Sequence, residues 1–167
     1  MPSPDASVVV RAARPGDVGA IAAFIRGLAD YERLEHQLQV DEGRLHEHLF
    51  GARPVCEALL AERDGAAVGF ALFFTSYSTF RTRPCLWLED LFVEPAHRGH
   101  GVGLTLLRTL AQLAVARGCP RLDWCVLDWN EPAIEFYRRQ GAEVLADWRV
   151  CRLDSERLQR FAAGQSL

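Results

Sequence analysis

The spacing of apolar residues changes several times along the chain, and each change predicts a new element. The β-branched run VVVRAA from Val8 reads as a short strand, and RPGD from Arg14 supplies a proline and an acidic residue where a helix should begin. Ile21, Phe24, Ile25, Leu28 and Tyr31 then recur at three- and four-residue spacing, a stripe that predicts a helix continuing to about Leu34. Leu45, Leu49 and Phe50 predict a second, shorter helix from about Asp41 to Phe50. The period then changes. VCEALLAER runs into the turn pair Asp64–Gly65 and on to AAVGFALFFTSYS, the pattern of a β-hairpin with a tight turn. After a polar loop through Arg83 and Pro84, CLWLEDLFVEP from Cys85 has strand composition and ends at Pro95. Gly101 to Arg117 is helical, with Leu104, Leu107, Leu110, Ala111 and Ala114 on one side and Gly118 as its stop. RLDWCVLDW from Arg121 predicts a strand, NEPAIEFYRRQ from Asn130 a helix stopped by Gly141, AEVLADWRVCRL a last strand, and the tail from Asp154 a short helix.

The resulting order, β-α-α-β-β-β-α-β-α-β, predicts a mixed α/β fold with a single sheet and flanking helices, antiparallel in its first half and carrying helical crossovers in its second. No repeat or linker interrupts it, and 167 residues suit one domain, over 8–167, behind a loose polar leader at 1–7. With 49% apolar residues the chain can bury a real core without metal or disulfides. A net charge of −3 argues against a nucleic-acid binder, whose footprint is basic and clustered. The longest apolar stretch, Ala66 to Phe74, is half of what a membrane-spanning helix requires. Cys56, Cys85, Cys119, Cys125 and Cys151 are odd in number and form no CxxC pair, so they read as reduced thiols in a cytoplasmic protein.

The most informative segment is EPAHRGHGVG, Glu94 to Gly103, between a predicted strand and a long amphipathic helix. Glycines at 99, 101 and 103 let the backbone turn sharply and aim several N–H groups at one point, where the helix dipole adds positive potential. An anion should bind there, with Arg98, and His97 or His100, adding charge-assisted contacts. The spacing is GxGxG, not GxGxxG, and the Lys-Ser/Thr ending of a nucleotide P-loop is missing. A flexible, glycine-capped turn remains the bland alternative.

LEDLFVEPAHRGHGVG, followed by a helix, a strand and WNEPAIEFYRRQGA, resembles the acyl-CoA-binding half of the GNAT superfamily of N-acetyltransferases. The superfamily signature Arg/Gln-x-x-Gly-x-Gly/Ala is matched by Arg98, Gly101 and Gly103. LADYERLEHQ, SYSTFRTR, LWLEDLFV and LDWNEPAIEFY are further similar to the diamine N-acetyltransferases, the spermidine/spermine enzymes and their thialysine-acetylating relatives, over roughly Val8 to Phe161. The resemblance implies a GNAT fold, acetyl-CoA as co-substrate, no metal, and a homodimer. It places the coenzyme on Leu91, Phe92, Val93, Arg98, Gly99, His100, Gly101, Val102, Gly103, Leu104, Asn130, Pro132, Ala133 and Tyr137.

Acetyl transfer to an amine needs a neutral nitrogen, a polarised carbonyl and a proton for the departing thiolate. Tyr137 lies seven residues after Asn130, about two turns into the helix that Asn-Glu-Pro begins. A tyrosine with a pKa near 10 is protonated at neutral pH, and by similarity to the family Tyr137 is the general acid. Bare spacing alone favours a core aromatic beside Phe136, and it is the motif that reverses the choice. An alkylammonium has a pKa near 10.4 and must lose a proton before it attacks. In LWLEDLFV, Glu89 alternates with Trp87 and Leu91 on one strand face while Asp90 points the other way, and a carboxylate in an apolar strand is costly unless it is paired. The resemblance assigns Glu89 to holding the amine and relaying its proton; a strand-end salt bridge is the competing explanation. Main-chain N–H groups of Leu91, Phe92 and Val93 would polarise the carbonyl, beside a pantetheine arm that pairs like an extra strand. Asn130 would meet the pantetheine, or simply cap its helix.

The family likeness points to Tyr31, Glu32, Asp147 and Trp148, with Glu89, as the groups around a cationic substrate, where carboxylates balance charge and aromatic faces attract the ammonium. Ser78 and Phe80 stand where polyamine-specific members carry an acidic residue and a tryptophan, which brings the chain closer to the thialysine-type branch. The substrate is then a lysine-like amino acid or short diamine as readily as a polyamine. His46 and His48 face differently on their helix and HEHLF lacks the second histidine of HExxH, so no zinc site is indicated. A protein or peptide acetyltransferase and a non-catalytic CoA-binding regulatory module are the competing functions.

Overall fold

The computed structural model describes residues 7–165, so the expected leader lies almost wholly outside the described residues. A five-stranded sheet in the order β1-β2-β3-β4-β5 is built from β1 (Val9–Ala12), β2 (Glu57–Arg63), β3 (Ala66–Ser78), β4 (Arg83–Val93) and β5 (Leu122–Trp124). The first four strands pair antiparallel, and β5 runs parallel to β4 after the helical crossover α3 (Val102–Ala116). Helices α1 (Val18–Glu32) and α2 (Glu42–Phe50) link β1 to β2, and α4 (Glu131–Arg139) and α5 (Ser155–Ala162) follow the sheet. This is the mixed α/β architecture that the periodicity predicts.

Local chemistry explains the boundaries. Asp17, just ahead of α1, accepts from the backbone N–H of Arg14 and from both terminal nitrogens of Arg11, the latter at 2.7 and 3.0 Å. The Arg11 guanidinium holds the Asp17 carboxyl below its usual range. Asp41 caps α2 by accepting from the Arg44 N–H at 3.0 Å. Asp64 and Gly65 both take positive φ, the conformation a two-residue hairpin turn requires.

One core lies between α1, α2 and the sheet: Ile21 and Phe24 of α1 and Leu49 of α2 pack on Leu60, Phe70, Leu72 and Phe92. Phe24 lies 5.7 Å from Phe70 and 6.1 Å from Phe92, centroid to centroid. On the opposite sheet face α3 buries Val102, Leu106, Leu107 and Leu110, and Arg117 behind it reaches Glu57 of β2 with two 2.7 Å hydrogen bonds while lying over the Phe73 ring.

Two expectations fail at the C-terminal side of the sheet. The strand expected from Arg121 to Trp129 is only Leu122–Trp124, because its partner changes shape: the last pair is Leu88 with Trp124, and the next residue of β4, Glu89, is a bulge. The last strand expected over 142–153 does not form; Val144, Leu145, Trp148, Val150 and Leu153 are exposed along an irregular segment. Strand composition describes a fit to a pleated, half-covered surface, and without a ladder it does not produce a strand. Contacts divide the chain into two compact units, Met1–Cys125 and Val126–Leu167. Among the described residues no helix is long and apolar enough to cross a membrane.

Candidate active site

The sequence-predicted residues of the first unit converge on β4. Register with β3 runs Trp87 to Phe74 and Leu88 to Phe73, then skips to Asp90 opposite Leu72 and Leu91 opposite Ala71, so Glu89 is an extra residue. Alternation is reset by one position. The expectation that Glu89 shares a face with both Trp87 and Leu91 is therefore corrected: Trp87 and Leu91 fall on opposite faces, and Asp90 joins Trp87 and Phe92 on the α1 side. Glu89 is exposed and accepts a 3.0 Å hydrogen bond from the indole N–H of Trp87. Asp90 is the carboxylate pressed toward the core. Burial, with the charges of Glu89 and Glu32 added, pushes its pKa up to about 7. Burial also raises Glu32, near the end of α1, above the ordinary carboxylate range. Three carboxylates thus gather where α1 meets the bulge, with Tyr31 at the rim. Asp90 is a candidate that the sequence reading passed over in favour of Glu89; two consecutive acids in an otherwise apolar strand were the available signal.

Past the bulge β4 continues to Val93, but β5 has left it, so the edge from Asp90 to Val93 has no strand beside it among the described residues. The loop that follows turns through Gly99 and Gly101, both left-handed at φ 77° and 78°, where a Cβ would be strained. Gly101 is the N-cap of α3, and no side chain caps the helix. The amides of Val102, Gly103 and Leu104 open its first turn, where unsatisfied donors and the dipole favour an anion. His100 spends its Nδ1 on the Arg98 carbonyl at 2.8 Å. Arg98 also has partners within the chain: its Nε donates to the Val93 carbonyl at 2.8 Å, and its guanidinium lies over Tyr31 and Phe92.

In the second unit, buried Asn130 accepts from the Ala133 N–H at 3.4 Å and Pro132 sits in the first turn of α4, so the cap explanation holds for the asparagine. Tyr137 is half-buried on α4 with its ring 5.3 Å from Phe136. Asp147 and Trp148 lie at an exposed turn, Trp148 at 75% of its full exposure. Among the described residues no three metal-ligating side chains gather. Of the cysteines, Cys85 is buried and Cys125 and Cys151 are exposed.

The sequence profile of the Acetyltransferase (GNAT) family matches residues 21–142. A thialysine N-epsilon-acetyltransferase from Bos taurus is 36% identical over 94% of this chain and 98% of its own. An L-ornithine N5-acetyltransferase from Arabidopsis thaliana is 31% identical over 90% of this chain and 86% of its own. Among solved structures, an integron cassette protein from V. cholerae superimposes with a TM-score of 0.78 at 24% identity, covering 93% of this chain and 98% of that one, which is a likeness of fold.

Proposed function

The chain belongs to the acetyltransferase (GNAT) family and is an acetyltransferase, and from that premise we propose that it moves the acetyl group of acetyl-CoA directly to the primary amine of a small cationic molecule, a lysine-like amino acid such as thialysine or a short diamine. The observation that carries this reading is the bulge at Glu89, which separates two receptors on one strand. At it lie carboxylates and aromatic rings suited to an ammonium; beyond it lie an open strand edge and an uncapped helix start suited to an extended, phosphorylated thioester. Relatives named for thialysine and ornithine point to the same substrate class.

Acetyl-CoA supplies the activated acyl group. First-turn amides of α3 hold its diphosphate, and N–H groups of Leu91, Phe92 and Val93 on the free edge orient the arm and polarise the carbonyl. Glu32 and Glu89 draw in the ammonium, with Trp87 fixing the Glu89 carboxylate. Asp90 takes the proton. Passing a proton from an ammonium of pKa near 10.4 to an ordinary carboxylate is uphill by about six pKa units. A carboxylate at about 7 reduces that gap by about three units, or roughly 4 kcal/mol. The freed amine attacks the carbonyl carbon, the carbon–sulfur bond breaks, and Tyr137 protonates the departing thiolate. Residues 8–167 act in this reading as one catalytic domain. Buried Ser78, whose hydroxyl receives the Arg81 N–H at 3.3 Å, and exposed Phe80 add no carboxylate at the β3–β4 tip, which favours short substrates over spermine. Five free thiols fit a reducing cytoplasm. The exposed Val144, Leu145, Trp148 and Val150 fit a homodimer, readable by light scattering.

The direct test is a panel of thialysine, lysine, ornithine, diamines and polyamines, assayed with acetyl-CoA by thiol release. Lysine analogues and short diamines should exceed spermine by about tenfold or more in kcat/KM. Thiol release with none of them would overturn the reading.

A further inference from the structure

We propose that Arg98 is a positioning residue for the amine pocket, holding the end of α1 against β4 from within the glycine-rich loop. The inference rests on the amine-acetylation reading above. Three contacts carry it. The Arg98 Nε donates to the Val93 carbonyl at 2.8 Å, its guanidinium carbon lies 4.8 Å from the centre of the Tyr31 ring, and the same carbon lies 5.4 Å from the centre of the Phe92 ring.

These contacts join three separate segments. Tyr31 is in the last turn of α1, which ends as Arg33 turns left-handed at φ 60°. Phe92 lies against the same helix at Gly27, where an added Cβ would fall 2.8 Å from the ring's Cζ. Val93 is the last residue of β4. One guanidinium therefore ties the loop to both walls of the acidic corner, through the two features an arginine has and a lysine lacks at that place: an N–H at Nε and a flat, weakly hydrated face. A guanidinium aimed only at a phosphate would need neither. Glu32, next to Tyr31, is carried by the same helical end, so the grip on Tyr31 also fixes a carboxylate whose charge acts on Asp90.

Arg98→Lys separates the two roles, because lysine keeps the positive charge for a phosphate and loses the stack and the Nε bond. The amine Kd by calorimetry and the amine KM should both rise about fivefold to tenfold, the scale of a desolvated cation–π contact, while the KM for acetyl-CoA stays within about twofold. Tyr31→Leu should give the same amine defect, and the double variant should be no worse than the larger single one. The same non-additivity should appear in urea midpoints measured without any ligand. An unchanged amine Kd in Arg98→Lys, an acetyl-CoA KM that rises more than the amine KM, or additive urea midpoints would each overturn the inference. Failure of the functional reading looks different: no binding or turnover of any amine, with the Arg98 and Tyr31 coupling in the ligand-free urea midpoints still present.

Discussion

The two halves of β4 present polar groups of opposite kinds. Beyond the bulge the polar groups are backbone: a strand edge at Leu91 to Val93 that has no strand beside it among the described residues, then a turn through Gly99 and Gly101 into the uncapped start of α3. At the bulge they are side chains: Glu89 tethered to Trp87, and Asp90 turned to the α1 face within reach of the Glu32 charge. Amides do not titrate and keep their direction through most substitutions. Carboxylates titrate, repel each other, and depend on which face a single inserted residue sends them to. Under the proposed function one strand thus serves a phosphorylated thioester and an ammonium at neighbouring places, and only the second responds to pH.

Asp90→Asn should break the carboxylate half hardest. Catalysis by a positioned base contributes about a hundredfold or more, so kcat/KM at neutral pH should fall by about that factor with the acetyl-CoA KM unchanged. In the native enzyme kcat/KM should rise with pH through about 7 as Asp90 deprotonates, and that limb should vanish in the variant. Glu89→Gln should weaken the amine KM and keep the limb, since Glu89 is exposed and held by Trp87. A limb that disappears with Glu89→Gln and survives Asp90→Asn would reverse the two roles.

The same residue sharpens the contrast in stability. The folded-state pKa of Asp90 lies above its unfolded value, so its protonated form favours folding. That contribution is complete below about pH 4, and it is lost as pH rises from there through about 7. Urea unfolding of the native protein should therefore lose stability across that window, and Asp90→Asn should be flatter there and more stable at pH 8. A variant no more stable than the native protein at pH 8 would mean that Asp90 is not held against its ionisation.

Gly101→Val tests the backbone half. A β-branched residue at φ 78° costs about 1–3 kcal/mol of strain or forces the turn to re-form. Either way the first-turn amides lose their common aim, and the acetyl-CoA KM should rise about tenfold while the amine Kd, measured by calorimetry, holds. An equal loss of amine affinity would show that the two receptors are not independent.

The difference also decides what could be read in advance. Glycines at 99 and 101 announce a backbone conformation, so the loop and the helix that follows it were legible residue by residue, as was the cap at Asn130. The bulge was not. LWLEDLFV reads as unbroken alternation, and nothing in its residue types says that Glu89 is unpaired; only the pairing with β3 does. That one residue moved Asp90 to the α1 side of the sheet, and β5 ends beside it at Trp124. Arg98 was found by its motif, but its contact with Tyr31 spans distant parts of the chain and has no signal in the sequence. The strand expected over 142–153 failed for the related reason that strand composition does not name a partner.

The smallest expected effect probes the seam between the two halves. Phe92 belongs to the open edge by its backbone and to the α1 core by its ring, and Gly27 is where the helix passes that ring. In Gly27→Ala the new methyl would sit 2.8 Å from the Phe92 Cζ. The ring is almost fully buried and cannot swing away as a surface side chain would. Alanine gains about 1 kcal/mol of helix propensity over glycine, while overpacking a buried ring costs about 1–3 kcal/mol, so the net loss should be about 1 kcal/mol. For a chain of this size that lowers Tm by about 2–4 °C. Because the Arg98 guanidinium lies over the same ring, the amine KM should rise modestly while the acetyl-CoA KM does not move. A Tm that rises would mean that the ring yields and helix propensity wins, and a shift in the acetyl-CoA KM alone would place Phe92 with the backbone receptor only.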